Sequence, residues 1–231
     1  QTGEIREGDN INIIGAAGPM GLMHTVRNLC QGVEGVSIVA TDIEDNRLDA
    51  LSRIAQPIAD KNGVKYAACN PQREKVEEKF DYIALMVPSA GFVASAVKTV
   101  NADSIINIFA GIPADVKADI DLDTYIENRI YFIGTSGSTL EDMKIVLNKV
   151  ESGSLDTNVS VAVVSDLESA VEGIRAVENR SVAGKIVVYP KCKGLGMLSL
   201  EQLSEKLPDV GEKLNNGVWT KQAETELLKK Y

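Results

Sequence analysis

Residues 10–23 constrain the fold of this chain more than any other part of its sequence. A short apolar segment ends at Gly15, turns through small residues and continues as a second apolar segment. Gly15 allows backbone angles that a Cβ resists, and Gly18 lets a ligand approach the main chain. Gly21 lets a helix lie close to the strand, and Pro19 suits the first turn of that helix. This strand, turn and helix favour a phosphate at the helix start, where free amides meet the positive end of the dipole.

The glycine pattern alone is weakly specific. Ala16 stands where the strict G-x-G-x-x-G pattern has its first glycine, and Gly15 lies one place earlier. A tight turn between any strand and helix therefore remains an alternative to a phosphate site.

Asp42 strengthens the prediction of a dinucleotide site. It ends a second apolar segment and follows Gly21 at close to the spacing of about 20 residues at which a carboxylate meets the ribose of NAD. Such a carboxylate accepts two hydroxyl hydrogen bonds and repels a 2′-phosphate. Ile43 offers no positive charge, although Arg47 has one, so we expect NAD rather than NADP. The alternative is that Asp42 caps a helix over residues 46–55.

Apolar runs and turn residues predict strands that alternate with helices along most of the chain. We expect strands at residues 10–14, 36–41, 64–68, 81–87, 104–109, 130–133, 159–164 and 185–189. We expect helices at residues 19–31, 45–54, 90–100, 138–151 and 167–178. This alternation is typical of a parallel sheet with helices on both faces, and the glycine turn makes it a doubly wound, Rossmann-type α/β fold.

We expect this domain to span residues 1–190 and a helical extension to span residues 191–231. Pro57 is predicted to end the second helix. Ser138 is predicted to begin the helix over residues 138–151, with Glu141 at the right offset for a capping box, and Ser199 and Thr220 to cap helices of the extension.

Ligands of such sheets bind at the carboxyl ends of the strands. The loops expected there combine small residues with a strand end, although each can also be read simply as a short turn. The predicted cofactor-binding residues are Gly15, Ala17, Gly18, Pro19, Met20, Gly21, Asp42, Ile43, Arg47, Val87, Pro88, Ala110, Gly111 and Gly134. The loop after residue 133 also includes Thr135 and Ser136.

Charge, cysteine content and hydropathy argue against several other classes of protein. A net charge of −9 argues against general nucleic-acid binding. Cys30, Cys69 and Cys192 are isolated, which predicts neither a disulfide framework nor a zinc site and fits a reducing, cytoplasmic location. Neither a signal peptide nor an apolar run of membrane-spanning length is evident. The chain begins at Gln1 rather than Met, so we expect that it was processed or cut from a longer protein.

No catalytic residue is predicted. His24 is the only histidine, and we expect it to pack on the first helix rather than to act as an acid or base. Ser136, Ser138 and Ser165 lack a G-x-S-x-G elbow, and a P-loop pattern is absent.

The turn at residues 13–21 and the segments at residues 40–42 and 47–48 resemble the nucleotide-binding domain of medium-chain, zinc-type alcohol and polyol dehydrogenases. Segments 109–111 and 133–137 and the tail with Trp219 and Thr220 are most similar to the L-sorbose-1-phosphate reductase branch. The resemblance covers nearly the whole chain.

This resemblance implies an oxidoreductase that passes hydride between NAD and a small polyol or sugar-phosphate alcohol. It also implies a separate GroES-like domain, which holds zinc through cysteine, histidine and glutamate residues and which we expect to be absent from this chain. This chain by itself should then bind the cofactor without turning over a substrate. By the same resemblance residues 18–21 contact the diphosphate and Asp42 the adenosine ribose. Val87 and Pro88 lie beside a ribose, and Ala110, Gly111 and Gly134 lie near the nicotinamide. An edge strand would join two copies in a homo-oligomer.

Two other functions are alternatives to an oxidoreductase. The first is an NAD-sensing module without catalysis, which regulates a partner. The second is an S-adenosylmethionine methyltransferase, although such enzymes usually carry an acidic residue just before the glycine loop, where this chain has Ile13 and Ile14.

Overall fold

The computed structural model describes residues 4–134 and 137–231. The chain divides into two compact units, Gln1–Leu155 and Asp156–Tyr231. Each unit has a sheet of its own, and each is described by itself below.

The first unit is built on a six-stranded parallel sheet with the strand order β3-β2-β1-β4-β5-β6. The strands are β1 Asn10–Ile14, β2 Ser37–Thr41, β3 Lys65–Cys69, β4 Phe80–Leu85, β5 Val100–Ile108 and β6 Tyr131–Gly134. The helices are α1 Pro19–Leu29, α2 Asp45–Asn62, α3 Ala90–Ala96, α4 Leu122–Glu127 and α5 Leu140–Glu151, and a 3₁₀ turn covers Val97–Thr99. This confirms the doubly wound, Rossmann-type fold.

The central strands are buried on both faces, which explains their nearly continuous apolar sequence. Ile11, Ile13, Ile38 and Ile83 have exposures of 0 or 1%. A core under β4 and β5 is formed by Phe80, Ile83, Leu85, Val93, Ala96, Val97, Val100, Ile106 and Ile130. The burial of these strands fixes their carboxyl ends, and therefore the loops that follow them.

The second unit pairs β7, Val161–Ser165, in parallel with β8, Lys185–Val188, and antiparallel with the short β9, Leu198–Ser199. Its helices are α6 Ala170–Glu178, α7 Leu200–Lys206, α8 Pro208–Gly211 and α9 Lys221–Lys230, and a 3₁₀ turn covers Thr157–Ser160. Its core consists of Val164, Cys192, Leu195, Leu200, Leu203, Val210, Trp219, Ala223 and Leu227. The predicted caps at Ser199 and Thr220 are both present.

The boundary between the two units lies after Leu155, whereas the sequence predicts a domain boundary after residue 190. The sequence predicts a first domain over residues 1–190, but β7 and β8 pair with β9 and form their own sheet. A strand and a helix in succession look alike in sequence whichever sheet they join, because strand order depends on contacts between distant segments.

Pro57 does not end the second helix, which continues to Asn62. The buried positions Leu48, Leu51, Ala55 and Ala59 follow a helical spacing, and Pro57 lies on the exposed side. The carbonyl that loses its helical partner therefore faces solvent, so the break in the hydrogen-bond ladder is tolerated.

Thr139, not Ser138, is the cap of α5. Its hydroxyl accepts a hydrogen bond from the Asp142 amide at 3.2 Å, and its own amide donates to the Asp142 carboxylate at 2.8 Å. The capping box is therefore offset by one residue from the predicted one.

No helix of residues 4–134 or 137–231 combines the length and the apolar character needed to cross a lipid bilayer.

Candidate functional site

Five parallel strands end side by side and place the predicted site loops along one edge of the sheet. In the pairing register, Thr41, Ile14, Leu85, Ile108 and Gly134 occupy one row. The chain leaves the sheet at this row, so the loops after β1, β2, β4, β5 and β6 are neighbours. Thr135 and Ser136, which the sequence places in the last of these loops, lie outside the described residues.

The turn after β1 requires a glycine at its first position. Gly15 has a φ of +79°, in the left-handed region that the sequence predicts for it. A Cβ there would lie 2.6 Å from Cγ1 of Val87. The amides of Gly15 and Ala16 both donate to the carbonyl of Thr41, at 2.8 and 3.0 Å. The turn is therefore anchored to β2 and packed against the loop after β4.

Gly18 and Gly21 meet different surroundings. A Cβ on Gly21 would lie 2.2 Å from the carbonyl oxygen of Gly15 and 2.5 Å from Ala16, so helix α1 rests directly on the turn. A Cβ on Gly18 would meet only the Gly15 carbonyl oxygen, at 3.7 Å, which is ordinary contact. Gly18 is the N-cap residue of α1, and Pro19 begins the helix. Nothing within the described fold therefore demands a glycine at position 18.

The carboxylate of Asp42 bridges the ends of β1 and β2. Its Oδ2 accepts a hydrogen bond from the amide of Ala17 at 3.0 Å. Its Oδ1 accepts from the amides of Ile43 at 2.8 Å and Glu44 at 3.3 Å. Helix α2 begins at Asp45 with Glu44 as its N-cap residue. The carboxylate therefore lies next to the glycine turn. Its other two partners, Ile43 and Glu44, precede α2.

The other predicted site residues lie along the same row. Val87 and Pro88 follow β4, where the amide of Met86 donates to the Ile14 carbonyl at 2.8 Å. The amide of Ala110 donates to the Leu85 carbonyl at 3.0 Å, which places Ala110 and Gly111 beside the loop after β4. Arg47 lies in the first turn of α2. The structure thus brings the loops of the predicted residues together at one edge of the sheet.

His24 packs as the sequence predicts. Its ring meets the ring of Phe109 edge-on, with the centroids 4.8 Å apart. Burial, and secondarily the positive charge of Arg27, lower the pKa of His24. The imidazole is therefore biased toward its neutral form.

The described residues offer no group of three or more His, Cys, Asp or Glu side chains that could hold a metal ion.

Sequence reasoning missed Asn70, which follows β3. Its side-chain amide donates to the carbonyl of Ile43 at 3.0 Å and to Oδ1 of Asp45 at 2.7 Å. The signal was the dipeptide Asn70-Pro71, because asparagine before proline favours a turn in which the side chain bonds to nearby backbone. The pattern does not reveal that the amide also reaches the neighbouring loop.

No family model matches the chain. The chain is 26% identical to mannitol-1-phosphate 5-dehydrogenase of Aliivibrio fischeri, over 98% of this chain and 58% of the relative. It is 24% identical to L-sorbose 1-phosphate reductase of Klebsiella pneumoniae, over 97% of this chain and 56% of the relative. The chain therefore spans less than two thirds of the length of these relatives.

The solved structures similar to this one include an L-idonate 5-dehydrogenase of Escherichia coli and a benzyl alcohol dehydrogenase of Acinetobacter calcoaceticus, with 16% and 13% identity and TM-scores of 0.62 and 0.64. Another is the acetophenone reductase of Geotrichum candidum in complex with NAD, with 19% identity and a TM-score of 0.63. That match covers 80% of this chain and 50% of the reductase. The resemblance inferred from the glycine turn is thereby confirmed at the level of fold: this chain is similar in fold to about half of each of these alcohol and polyol dehydrogenases and reductases.

Proposed function

We propose that this chain binds NAD(H) and forms the cofactor-binding part of an oxidoreductase that transfers hydride between nicotinamide and a polyol or sugar-phosphate alcohol. The observation that carries the proposal is the space beside Gly18 at the start of α1, together with the Asp42 carboxylate bound to the amide of Ala17. A diphosphate and an adjoining ribose need these two features side by side.

The first step is the binding of the diphosphate. In the proposed complex, residues 18–21 receive it on the main chain at the start of α1, with Gly15 and Ala17 forming the turn beneath. The positive end of the helix dipole and the unoccupied side of Gly18 both favour an anion there. An added Cβ at Gly18 would project into this space.

Asp42 would hold the adenosine ribose. Each carboxylate oxygen has two lone-pair directions, so the bonds to Ala17, Ile43 and Glu44 leave one direction, on Oδ2, to accept from a ribose hydroxyl. The negative charge disfavours a 2′-phosphate, which supports NAD over NADP. Ile43, with half of its surface exposed, offers an apolar face to the adenine, and Arg47 lies close by on α2.

The remaining loops would position the nicotinamide half. Val87 and Pro88 lie beside the glycine turn, next to the expected position of a ribose. Ala110, Gly111 and Gly134 present small residues farther along the row, where a flat ring needs close backbone. When bound, NAD supplies a hydride-accepting ring; the chain's own residues bind it and set its orientation.

No described residue is proposed as a catalytic group or as a zinc ligand. The substrate class is proposed from the two relatives, whose names are those of a sugar-alcohol phosphate dehydrogenase and a ketose phosphate reductase. A homo-oligomer is proposed through β6, which is one of the two edge strands of its sheet and carries the exposed Tyr131. We also propose a cytoplasmic location, on the basis of the isolated cysteines.

Calorimetric titration tests the proposal. We expect NADH to bind, NADPH to bind more weakly and S-adenosylmethionine to give no heat of binding. Binding of S-adenosylmethionine without a signal from NADH would replace the oxidoreductase with a methyltransferase. Binding of NADH by a full-length protein that oxidises no alcohol would favour the NAD-sensing alternative.

A further inference from the structure

The loop after β3 covers residues 70–74. It is bound to the segment at residues 42–45, which links β2 to the start of α2 and includes Asp42 and Ile43. We propose that Asn70 is a positioning residue: it fixes residues 42–45 in the arrangement that receives the adenosine of the cofactor. This inference rests on the proposed function, because only a bound dinucleotide gives that loop a ligand to receive.

Asn70 uses both donors and the oxygen of its side-chain amide in this one place. Its two N–H donors meet two acceptors, the carbonyl of Ile43 at 3.0 Å and Oδ1 of Asp45 at 2.7 Å. Its oxygen accepts from the amide of Gln72 at 3.0 Å. The side chain is 8% exposed, so water does not readily replace these partners. A buried amide bonded in this way ties the loop after β3 to the segment at residues 43–45.

The chemistry of the site selects an asparagine. The Gln72 amide can only donate, so it fixes the side-chain oxygen of Asn70 on its own side and turns the NH₂ group toward Ile43 and Asp45. An aspartate of the same shape would set a carboxylate against the Asp45 carboxylate and a carbonyl oxygen. An alanine would leave the Ile43 carbonyl and one Asp45 oxygen without this donor.

A second connection joins the same loops but carries less weight. Arg73 forms an ion pair with Asp45, and the turn that brings it there is closed by the amides of Arg73 and Glu74 donating to the Asn70 carbonyl, at 2.9 and 3.0 Å. The Arg73 side chain is 72% exposed. Exposed ion pairs stabilise little because water screens them, whereas a buried group that loses its partner is strongly penalised. Asn70 therefore holds the loop, and Arg73 assists.

The consequence for the site follows from chain continuity. Asp42 and Ile43 have no regular partner strand beyond the bond from the Asp42 amide to the Cys69 carbonyl, at 3.2 Å. Beyond that point, the Ile43 carbonyl is held by Asn70. Without this bond, the bond from the Ala17 amide to the Asp42 carboxylate would still tie this segment to the glycine turn, but the exposed Ile43 side chain and the backbone around it would be freer to shift.

The experiment compares Asn70→Ala with Gln72→Ala, a neighbour whose side chain is exposed and whose backbone alone takes part in the contact. Hydrogen exchange without cofactor is measured for residues 42–45 and, as an internal reference, for β5. Affinities for ADP-ribose, NADH and NADPH are measured by calorimetry. A variant Asn70→Asp removes the donors while keeping the volume, and it replaces Asn70→Ala if that protein does not fold.

We expect exchange at residues 42–45 to rise in the Asn70 variants and stay unchanged in β5. The affinity for ADP-ribose should fall by about tenfold, the scale of one lost hydrogen bond, and the preference for NADH over NADPH should narrow. Gln72→Ala should match the wild type. Unchanged exchange at residues 42–45, or faster exchange there and in β5 together with an unaltered NADH preference, would overturn the inference. Failure of the wild type to bind NADH or ADP-ribose would instead overturn the proposed function.

Discussion

The Oδ2 atom of Asp42 accepts a hydrogen bond from the amide of Ala17 at 3.0 Å, although 25 positions separate the two residues in the chain. The bond joins the end of β2 to the turn after β1 and fixes the position of the carboxylate relative to Gly18. In the proposed complex the same carboxylate meets the adenosine ribose. Its bond to Ala17 therefore sets the distance between the diphosphate and ribose positions.

Replacing Asp42 tests its proposed role in cofactor binding. We expect Asp42→Ala to weaken NADH binding by about 1–2 kcal/mol, the scale of lost charge-assisted hydrogen bonds. Asp42→Asn keeps an oxygen that can accept from Ala17 and removes the charge, so it should lose less NADH affinity and gain tolerance for NADPH. Calorimetry measures both. Equal NADH affinity in all three proteins would remove Asp42 from the site.

Two glycine variants separate the needs of the fold from those of the ligand. Gly21→Ala places a Cβ against backbone atoms of Gly15 and Ala16 and should cost about 1–3 kcal/mol of unfolding free energy through overpacking. Gly18→Ala has room for its methyl group and should change stability by less than about 1 kcal/mol, because only the N-cap preference is affected.

Gly18→Ala should affect NADH binding although it hardly affects stability. Its methyl group would lie where the diphosphate approaches the main chain, and we expect a loss on the order of tenfold, as for one hydrogen bond. Denaturant titration and calorimetry on the same preparations give both quantities. A Gly18→Ala protein with wild-type affinity would show that nothing binds against that backbone.

The cap of α5 is tested by two adjacent residues. Thr139→Ala should lower the unfolding free energy by about 1 kcal/mol, because the Asp142 amide loses its partner. Ser138→Ala, one position earlier, should be close to neutral. Urea unfolding of both variants distinguishes them, and a larger effect at Ser138 would restore the cap that the sequence predicts.

His24 should make stability depend on pH. Burial lowers the pKa of His24 below its ordinary value of 6.5, so the unfolded chain binds a proton more readily than the folded one. Its contribution to stability is therefore complete above about pH 6.5 and is lost as the pH falls toward the depressed folded value. Denaturant titrations at several pH values check this, with His24→Gln as the control. A variant with the same slope between pH 5 and 7 would assign the dependence to other groups.

The sequence predicts the first unit well because its signals are local. Gly15 and Pro19 determine the turn and the helix start, and the buried apolar runs mark the central strands. The prediction of Asp42 as a site residue rests on its spacing from Gly21. Each of these features depends on residues within one strand–helix–strand unit.

The features that were missed depend on contacts between distant segments. Helix α4 has only six residues and no buried residue, so its three apolar positions, Leu122, Tyr125 and Ile126, are too few to distinguish a helix from a loop. β9 has two residues and exists because it pairs with β7. Asn70 can be recognised as a turn residue, but its bonds to Ile43 and Asp45 require knowledge of which loops the sheet brings together.

The most direct test of the account is a crystal structure of the protein soaked with NADH. The account predicts a diphosphate against the backbone at Gly18 and the first turn of α1, with an adenosine ribose hydroxyl donating to Oδ2 of Asp42. An empty crevice at saturating NADH, or a cofactor bound elsewhere on the chain, would contradict it.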